Sequence, residues 1–434
     1  MRKLANILFF TIITVLIVNH INFVSATEDT KNDLGKSIDE LKKVLEHEPS
    51  NVDVHYYLGL AYYDNGMVSE AIDELNKTLV LDLNYVNAYF NLGTIYTSQG
   101  DIDSAIEIFK KLLQTDATNA SAEYNLGFLY NEKGLVDDAI AAYKKAIQIK
   151  PDYHQSLNNL GIIYFKKGLL DNAVAIYTKA IEVNADYAEA YYNLGAVYLE
   201  QDQLDNAISQ LEKSTSLAPD FAGAYYNLGI AYRKKGMPDE AISALNRALE
   251  INPEDLKSLN ILAITLHEKG KFEDAIFEYE KIAAITPKDA NVRYNLGVAY
   301  YKAGMRKEAI SELQKALKLE PDHTKAHYNL GVIYMKKNKL SKSIEEFKKT
   351  YKIEPGHADA YVNLGVVYYR QGLPEEAITA YNRALEIKPD YAEAYYNSSF
   401  AYLKKGLIDD AINMLKKGIE LNPDRGLLYF LLGN

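Results

Sequence analysis

The chain has 434 residues, a formal net charge of −11 and no cysteine, and a quarter of its residues are charged. An acidic chain carries no general attraction for nucleic acid, and no basic run interleaved with aromatic residues supplies a local one. The lack of cysteine excludes thiol catalysis and zinc–thiolate sites. Nucleic-acid binding and thiol chemistry are therefore not expected functions.

The first 26 residues (1–26) differ from the rest and predict a signal peptide. Two basic residues at 2–3 precede an apolar run at 4–18, and small residues at 24–26 provide a cleavage site. This segment predicts export to the periplasm or the extracellular space. The alternative is an uncleaved membrane anchor over residues 4–24, which would be the protein's only contact with a membrane.

Most of the chain repeats with a period of 34 residues. If position 1 is set seven residues before the glycine of a recurring Asn-Leu-Gly triplet, eleven complete repeats occupy residues 52–425. The start of a truncated twelfth repeat lies at 426–434, and residues 27–51 are expected to hold a linker and a capping half-repeat helix. A unit of this length cannot bury its own apolar face and must stack on its neighbours.

Each repeat reads as two helices separated by a turn at position 15. That position is glycine in nine repeats, and the other two carry Asp202 and Asn338. Aspartate and asparagine also tolerate a left-handed backbone, so the same turn is expected throughout. Small residues at positions 8 and 20 let the two helices approach closely, and proline at position 32 ends the second helix in eight repeats.

This pattern resembles the tetratricopeptide repeat family, whose signature includes Leu at position 7, Gly at 8, Tyr at 11, Ala at 20 and Pro at 32. Residues 189–195, Glu-Ala-Tyr-Tyr-Asn-Leu-Gly, illustrate the match, which covers about residues 33–434. The resemblance implies an all-α, right-handed superhelical solenoid of about eleven to twelve repeats. Partners in this family usually lie in its concave groove as extended peptides or helices.

Positions 2, 6, 9 and 13 of the first helix share the face opposite to the apolar positions 4, 7, 8 and 11. An asparagine side chain both donates and accepts, so a row at position 6 would hold an extended peptide by its backbone. The alternative is that these side chains satisfy neighbouring helices. The row comprises Asn91, Asn125, Asn159, Asn193, Asn227, Asn295, Asn329, Asn363 and Asn397.

A similar asparagine ladder occurs in the repeats of peptide O-linked N-acetylglucosamine transferases, which these repeats resemble most. No counterpart of the catalytic domain of those enzymes is present in the sequence. Position 5 is mostly tyrosine, and Tyr192 and Tyr226 are expected to join the binding groove. Position 9 forms an apolar stripe, which would favour partners with apolar side chains or else contact the adjacent repeat.

Position 13 changes character along the chain. Early repeats carry Asp64, Ser98 and Glu132 there. A basic row in the groove would attract an acidic partner, and the alternative is a solvated face. The last four repeats carry Lys302, Lys336, Arg370 and Lys404.

The sequence favours a non-enzymatic, exported scaffold that holds a protein or peptide partner in its groove. No catalytic, cofactor or metal motif stands apart from the repeat pattern, and His323 and His327 have no third ligand beside them. Two alternatives remain. One is the substrate-recognition region of a larger glycosyltransferase-like protein, and the other is an assembly factor that self-associates through Leu427–Leu432.

Overall fold

The computed structural model describes residues 28–422, and every regular element in that range is an α-helix. The range contains 23 helices arranged as tandem helix-turn-helix repeats, which confirms the all-α fold expected from the period. No described helix has both the length and the apolar character needed to cross a bilayer. The proposed signal peptide and the segment Leu427–Leu432 lie outside the described residues.

The chain divides into two compact units, residues 1–197 and 198–434. In the first unit the helices are α1 (Glu28–His47), α2 (Val52–Asp64), α3 (Val68–Leu81), α4 (Val86–Ser98), α5 (Ile102–Thr115), α6 (Ala120–Glu132), α7 (Val136–Ile149), α8 (His154–Lys166), α9 (Leu170–Val183) and most of α10 (Ala188–Glu200).

The second unit continues with the same alternation. Its helices are α11 (Leu204–Leu217), α12 (Ala222–Lys234), α13 (Pro238–Ile251), α14 (Leu256–Glu268), α15 (Phe272–Ile285), α16 (Ala290–Lys302), α17 (Arg306–Leu319), α18 (Thr324–Lys336), α19 (Leu340–Ile353), α20 (Ala358–Arg370), α21 (Pro374–Ile387), α22 (Ala392–Lys404) and α23 (Ile408–Leu421).

The first helix of each repeat, here called the A helix, covers positions 1–13, and the second, the B helix, covers positions 17–30. The turn between them takes a left-handed residue at position 15 in all eleven repeats, as predicted. Asp202 and Asn338 adopt φ values of 57° and 55°, close to those of the nine glycines. Short polar side chains can therefore substitute for glycine in this turn.

Glycine at position 8 is required by the side chain at position 24 of the B helix. A Cβ atom on Gly127 would lie 2.7 Å from the ring of Tyr143, and one on Gly365 would lie 2.5 Å from Tyr381. These rings are almost fully buried. The absence of a side chain thus lets an aromatic ring fill the space between the paired helices.

The last described repeat solves the same packing problem differently. Ser399 replaces the glycine at position 8, and Tyr396 turns inward and is 3% exposed. Its hydroxyl donates to the carbonyl oxygen of Gly418 at 2.6 Å. A Cβ on Gly418 would lie 2.4 Å from that ring, so the required glycine has moved to the B helix.

Helix α1 lies where the sequence predicts a capping half-repeat. It begins at Glu28 and ends at His47, within the segment 27–51 that is expected to hold a linker and this helix. Ile38 is 5% exposed and belongs to the core of the first repeats. The Nζ of Lys42 lies 5.4 Å from the ring centroid of Tyr62 on α2. The helix therefore covers apolar surface that α2 and α3 would otherwise expose.

Candidate binding face on the A helices

The asparagine row lies on the A helices, and all nine side chains are half-buried. The Nδ2 of Asn91 donates to the hydroxyl of Tyr56 at 3.0 Å. Because the tyrosine is at position 5 of the preceding repeat, this bond joins consecutive A helices. Other partners are the carbonyl of Ser121 for Asn125 and the side chain of Asn158 for Asn193. These amides therefore satisfy neighbouring groups of the protein itself, as in the alternative reading of the sequence.

The same joint recurs in the second unit. The Nδ2 of Asn329 donates to the hydroxyl of Tyr294 at 3.1 Å, and that of Asn363 donates to Tyr328 at 3.0 Å. No bond to the Oδ1 of either asparagine is found within residues 28–422. An amide with one engaged donor and an available carbonyl can still accept a hydrogen bond from a peptide N–H group.

In several repeats an aromatic residue at position 34 packs against the tyrosine at position 5 of the same repeat, a contact that the sequence did not predict. The ring of Tyr294 lies 4.8 Å from that of His323, and Tyr328 lies 4.8 Å from His357. Tyr124 and Tyr153 are related in the same way at 5.1 Å. The recurrence of aromatic residues at position 34 was the available signal. These ring contacts restrain the tyrosine to which the next asparagine donates.

Tyr192 and Tyr226 occupy the same position 5 and are half-buried. Burial raises the pKa of Tyr226, with a smaller contribution from the negative charge of Asp255. Position 5 adjoins, but is not part of, the A-helix face, here defined as the surface formed by positions 2, 6, 9 and 13. Only part of each ring is available to a partner.

The apolar stripe at position 9 is half-buried in all repeats except the last described one, where Phe400 is 37% exposed. Phe128, Val332 and Val366 also contact the buried core. The two readings of this stripe are therefore compatible, because each side chain packs on the core and still presents one edge to the surface.

The four cations at position 13 are exposed and lie at the ends of α16, α18, α20 and α22. None of them forms a salt bridge within the described range. The Nζ of Lys336 lies 5.4 Å from the ring centroid of Tyr301, and the Nζ of Lys404 lies 4.8 Å from that of Tyr369. These contacts place an ammonium group over an aromatic ring of the preceding repeat.

Exposed ion pairs recur beside the turns between the A and B helices, and the sequence did not predict them. A lysine at position 14 pairs with an acid at position 18 of the preceding repeat. Lys167 contacts Asp137 at 3.0 Å, and Lys235 contacts Asp205 at 2.6 Å. Exposed pairs of this kind each contribute about 0–1 kcal/mol, so they tune the joint between repeats more than they create it.

The histidines discussed as ligands have structural partners. His323 packs against the ring of Tyr294. The two ring nitrogens of His327 lie 2.5 Å from a carboxylate oxygen of Glu346 and 2.9 Å from the carbonyl oxygen of Pro321. Among the described residues no group of three or more histidine, aspartate or glutamate side chains is arranged to hold a metal ion.

Comparisons with known proteins identify the repeats. Models of the tetratricopeptide repeat match residues 30–66, 93–134, 129–168, 358–391 and 392–425. A model described as the C-terminal domain of cilia and flagella-associated protein 70 matches residues 153–360. Comparison with curated proteins found no matching relative. The chain therefore contains tetratricopeptide repeats, and matched repeats occur in both units.

Several solved structures are similar over part or most of the chain. YrrB, described as a TPR protein with an unusual peptide-binding site, is 29% identical over 43% of this chain and 95% of its own, with a TM-score of 0.40. MamA is 36% identical over 38% of this chain and 97% of its own, with a TM-score of 0.36. The Cut9–Hcn1 structure is 17% identical over 93% of both chains, with a TM-score of 0.43.

Proposed function

We propose that this protein is an exported scaffold that binds a polypeptide partner across its A helices. The observation that carries the proposal is the register of the A-helix face. At each repeat from 290 to 391, an asparagine, a half-buried valine and an exposed cation stand at the same three places. A surface with one such set per repeat suits a partner that runs across the helices and meets the same chemistry at each step.

In this proposal, the side-chain carbonyl groups of the asparagines accept hydrogen bonds from the backbone of the partner. Asn329 and Asn363 use Nδ2 to bind tyrosine, which fixes the side chain and orients its Oδ1. A hydrogen bond from a peptide N–H group to such an oxygen contributes about 0.5–1.5 kcal/mol. Useful affinity therefore requires several repeats at once, which the length of the row allows.

Export is the second part of the proposal, and the N-terminal segment supports it through its basic start, apolar run and small residues before Thr27. Mass spectrometry of the protein isolated from the exported fraction tests this point. A chain that begins at Thr27 is expected. An intact N-terminus in a membrane fraction would instead favour the anchor.

Site-specific photo-crosslinking tests the binding face. A photoreactive residue placed at Val332, on the A-helix face, is expected to capture a discrete partner in the native compartment. The matched control is Lys348, an exposed residue on the B helix of the same repeat that forms no ion pair with another described residue. Capture at Lys348 but not at Val332 would place the binding site elsewhere and contradict the proposal.

The asparagine row is tested by substituting Asn193, Asn227 and Asn329 with alanine in one variant. Circular dichroism establishes that this variant is still helical. Loss of the cross-link at Val332 is expected if the row contacts the partner. An undiminished cross-link would restrict these asparagines to the joints between repeats.

A further inference from the structure

We infer that the four repeats from 290 to 425 bind an extended acidic polypeptide whose carboxylates recur at every third residue. This inference rests on the proposed function and names the chemistry of the partner. Its basis is the cation row, defined as Lys302, Lys336, Arg370 and Lys404.

The positive charges of the cation row are not neutralised by carboxylates among the described residues. Some neighbouring lysines at these turns are paired, as Lys405 is with Glu375 at 3.4 Å and Lys235 with Asp205 at 2.6 Å. No member of the cation row has a carboxylate partner in the described part of the chain. A protein with a net charge of −11 thus leaves four aligned cations without partners on one face.

The cation row begins in the repeat after the last acidic residue at position 13, and that acidic residue is itself paired with a cation. Glu268 accepts two hydrogen bonds from Arg233 of the preceding repeat, at 2.9 and 2.6 Å. This pair shows that a carboxylate in this region of the A-helix face can form an ion pair with a cation. From Lys302 onward the protein supplies the cation but not the carboxylate.

Helix electrostatics alone do not explain the row. A cation at the last residue of a helix is favoured by the helix dipole. The A helices of the first repeats nevertheless end with Asp64, Ser98 and Glu132, so this architecture does not require a cation there. Tyr301 and Tyr369 instead hold Lys336 and Lys404 over their rings, which limits where the ammonium groups can lie.

The spacing of the row selects an extended segment. Packed helices lie about 8–10 Å apart, so successive cations are expected at about that interval. A polyproline II segment places side chains on the same side every three residues, about 9 Å apart. Carboxylates at every third residue would therefore meet successive cations, while residues between them contact Val332, Val366 and Phe400 at position 9.

The experiment uses the full chain and two labelled synthetic peptides of identical composition. One carries four glutamates separated by two valine or proline residues, and the other has its glutamates grouped at one end. Fluorescence anisotropy is expected to show at least about fivefold tighter binding of the first peptide, with affinity falling as salt increases. Equal affinities would overturn the inferred spacing.

The protein variants are Lys336→Glu with Arg370→Glu, and as a control Lys348→Glu with Lys352→Glu. Both pairs are exposed, and both change the net charge by the same amount. The first pair is expected to weaken peptide binding about tenfold or more, since two attractive contacts become repulsive, whereas the control changes it about twofold or less. Equal losses in both variants would mean that only overall charge matters and would contradict the inference.

Three further outcomes distinguish an acidic polypeptide from other partners of the cation row. If neither peptide binds while Val332 still cross-links to a partner, the proposed function stands and the acidic class is wrong. If an oligonucleotide competes as well as the spaced peptide, the row recognises anionic polymers in general and the inference fails. If neither peptide binds, and the mass of the native protein in solution rises with its concentration while that of the Lys336→Glu, Arg370→Glu variant does not, the row is a contact between copies of the chain and the inference fails.

Discussion

The side-chain amide of Asn363 donates to the hydroxyl of Tyr328, 35 residues earlier, at 3.0 Å. The ring of Tyr328 is itself stacked on His357 at the end of its own repeat. One tyrosine thus connects the A helix of its own repeat, the turn at the end of that repeat and the A helix of the next repeat. The asparagine row is consequently part of the joints between repeats as well as part of the candidate binding face.

A double-mutant cycle tests this joint. Asn363→Ala and Tyr328→Phe each remove the same hydrogen bond, so their effects on local stability are expected to be less than additive by about 0.5–1.5 kcal/mol. Hydrogen exchange of amides in α18 and α20 measures the local opening free energy, which suits a repeat array better than global unfolding. Strictly additive effects would show that the bond contributes nothing to the joint.

The close approach at position 8 gives a second prediction. Gly365→Ala places a methyl group against the ring of Tyr381, and we expect it to destabilise its repeat by about 1–3 kcal/mol through overpacking. Gly356→Ala is the control, because no heavy atom lies within 4 Å of the added carbon. Urea unfolding followed by circular dichroism compares the two. A Gly365→Ala variant as stable as the control would contradict the packing argument.

The buried pair of His327 and Glu346 gives a third prediction. Both ring nitrogens lie within hydrogen-bonding distance of an oxygen atom, one of Glu346 and one of Pro321. Arg293 has the equivalent role one repeat earlier, with Glu312 at 3.2 Å. His327→Arg is therefore expected to be tolerated.

His327→Leu, by contrast, leaves the carboxylate of Glu346 without its buried partner and is expected to destabilise the repeat by up to about 3–5 kcal/mol. Lys349 reduces this cost, since it also contacts Glu346 at 3.4 Å. Thermal unfolding distinguishes the two substitutions. A leucine variant as stable as the arginine variant would mean that the pair does not stabilise the fold.

Alkaline pH is expected to unfold the protein together with ionisation of its buried tyrosines. Burial raises the pKa of Tyr279 from 10.0 to about 12, with a further contribution from Glu268, and burial also raises the pKa values of Tyr143 and Tyr177. The unfolded chain loses these protons first. Stability is therefore full below pH 10 and falls as pH rises through 12.

Tyrosinate absorbance and circular dichroism, followed in one titration, measure this effect. Ionisation of the buried tyrosines should coincide with loss of helix, whereas in urea the same groups should ionise near pH 10. Complete ionisation of all 36 tyrosines with helicity intact would contradict the prediction.

The sequence predicts the helices and turns well because a period of 34 residues determines both the apolar faces and the left-handed turn. It even identifies Asp202 and Asn338 as turn residues. It does not reveal that the asparagines donate to tyrosines 35 residues away, since that bond depends on how two repeats pack. The same limit applies to the inward turn of Tyr396, which reflects a coupled exchange between Ser399 and Gly418.

The bond from Asn363 to Tyr328 joins residues whose separation exceeds the repeat length by one. Removing the 34 residues of the repeat 324–357 would bring Tyr294, also at position 5, to the same asparagine, whereas removing 33 or 35 residues would misalign the contacts between the two repeats joined at the deletion. The arrangement therefore permits gain and loss of whole repeats as single events. Length, and with it the span of any bound segment, can change in these proteins without redesign of the joints.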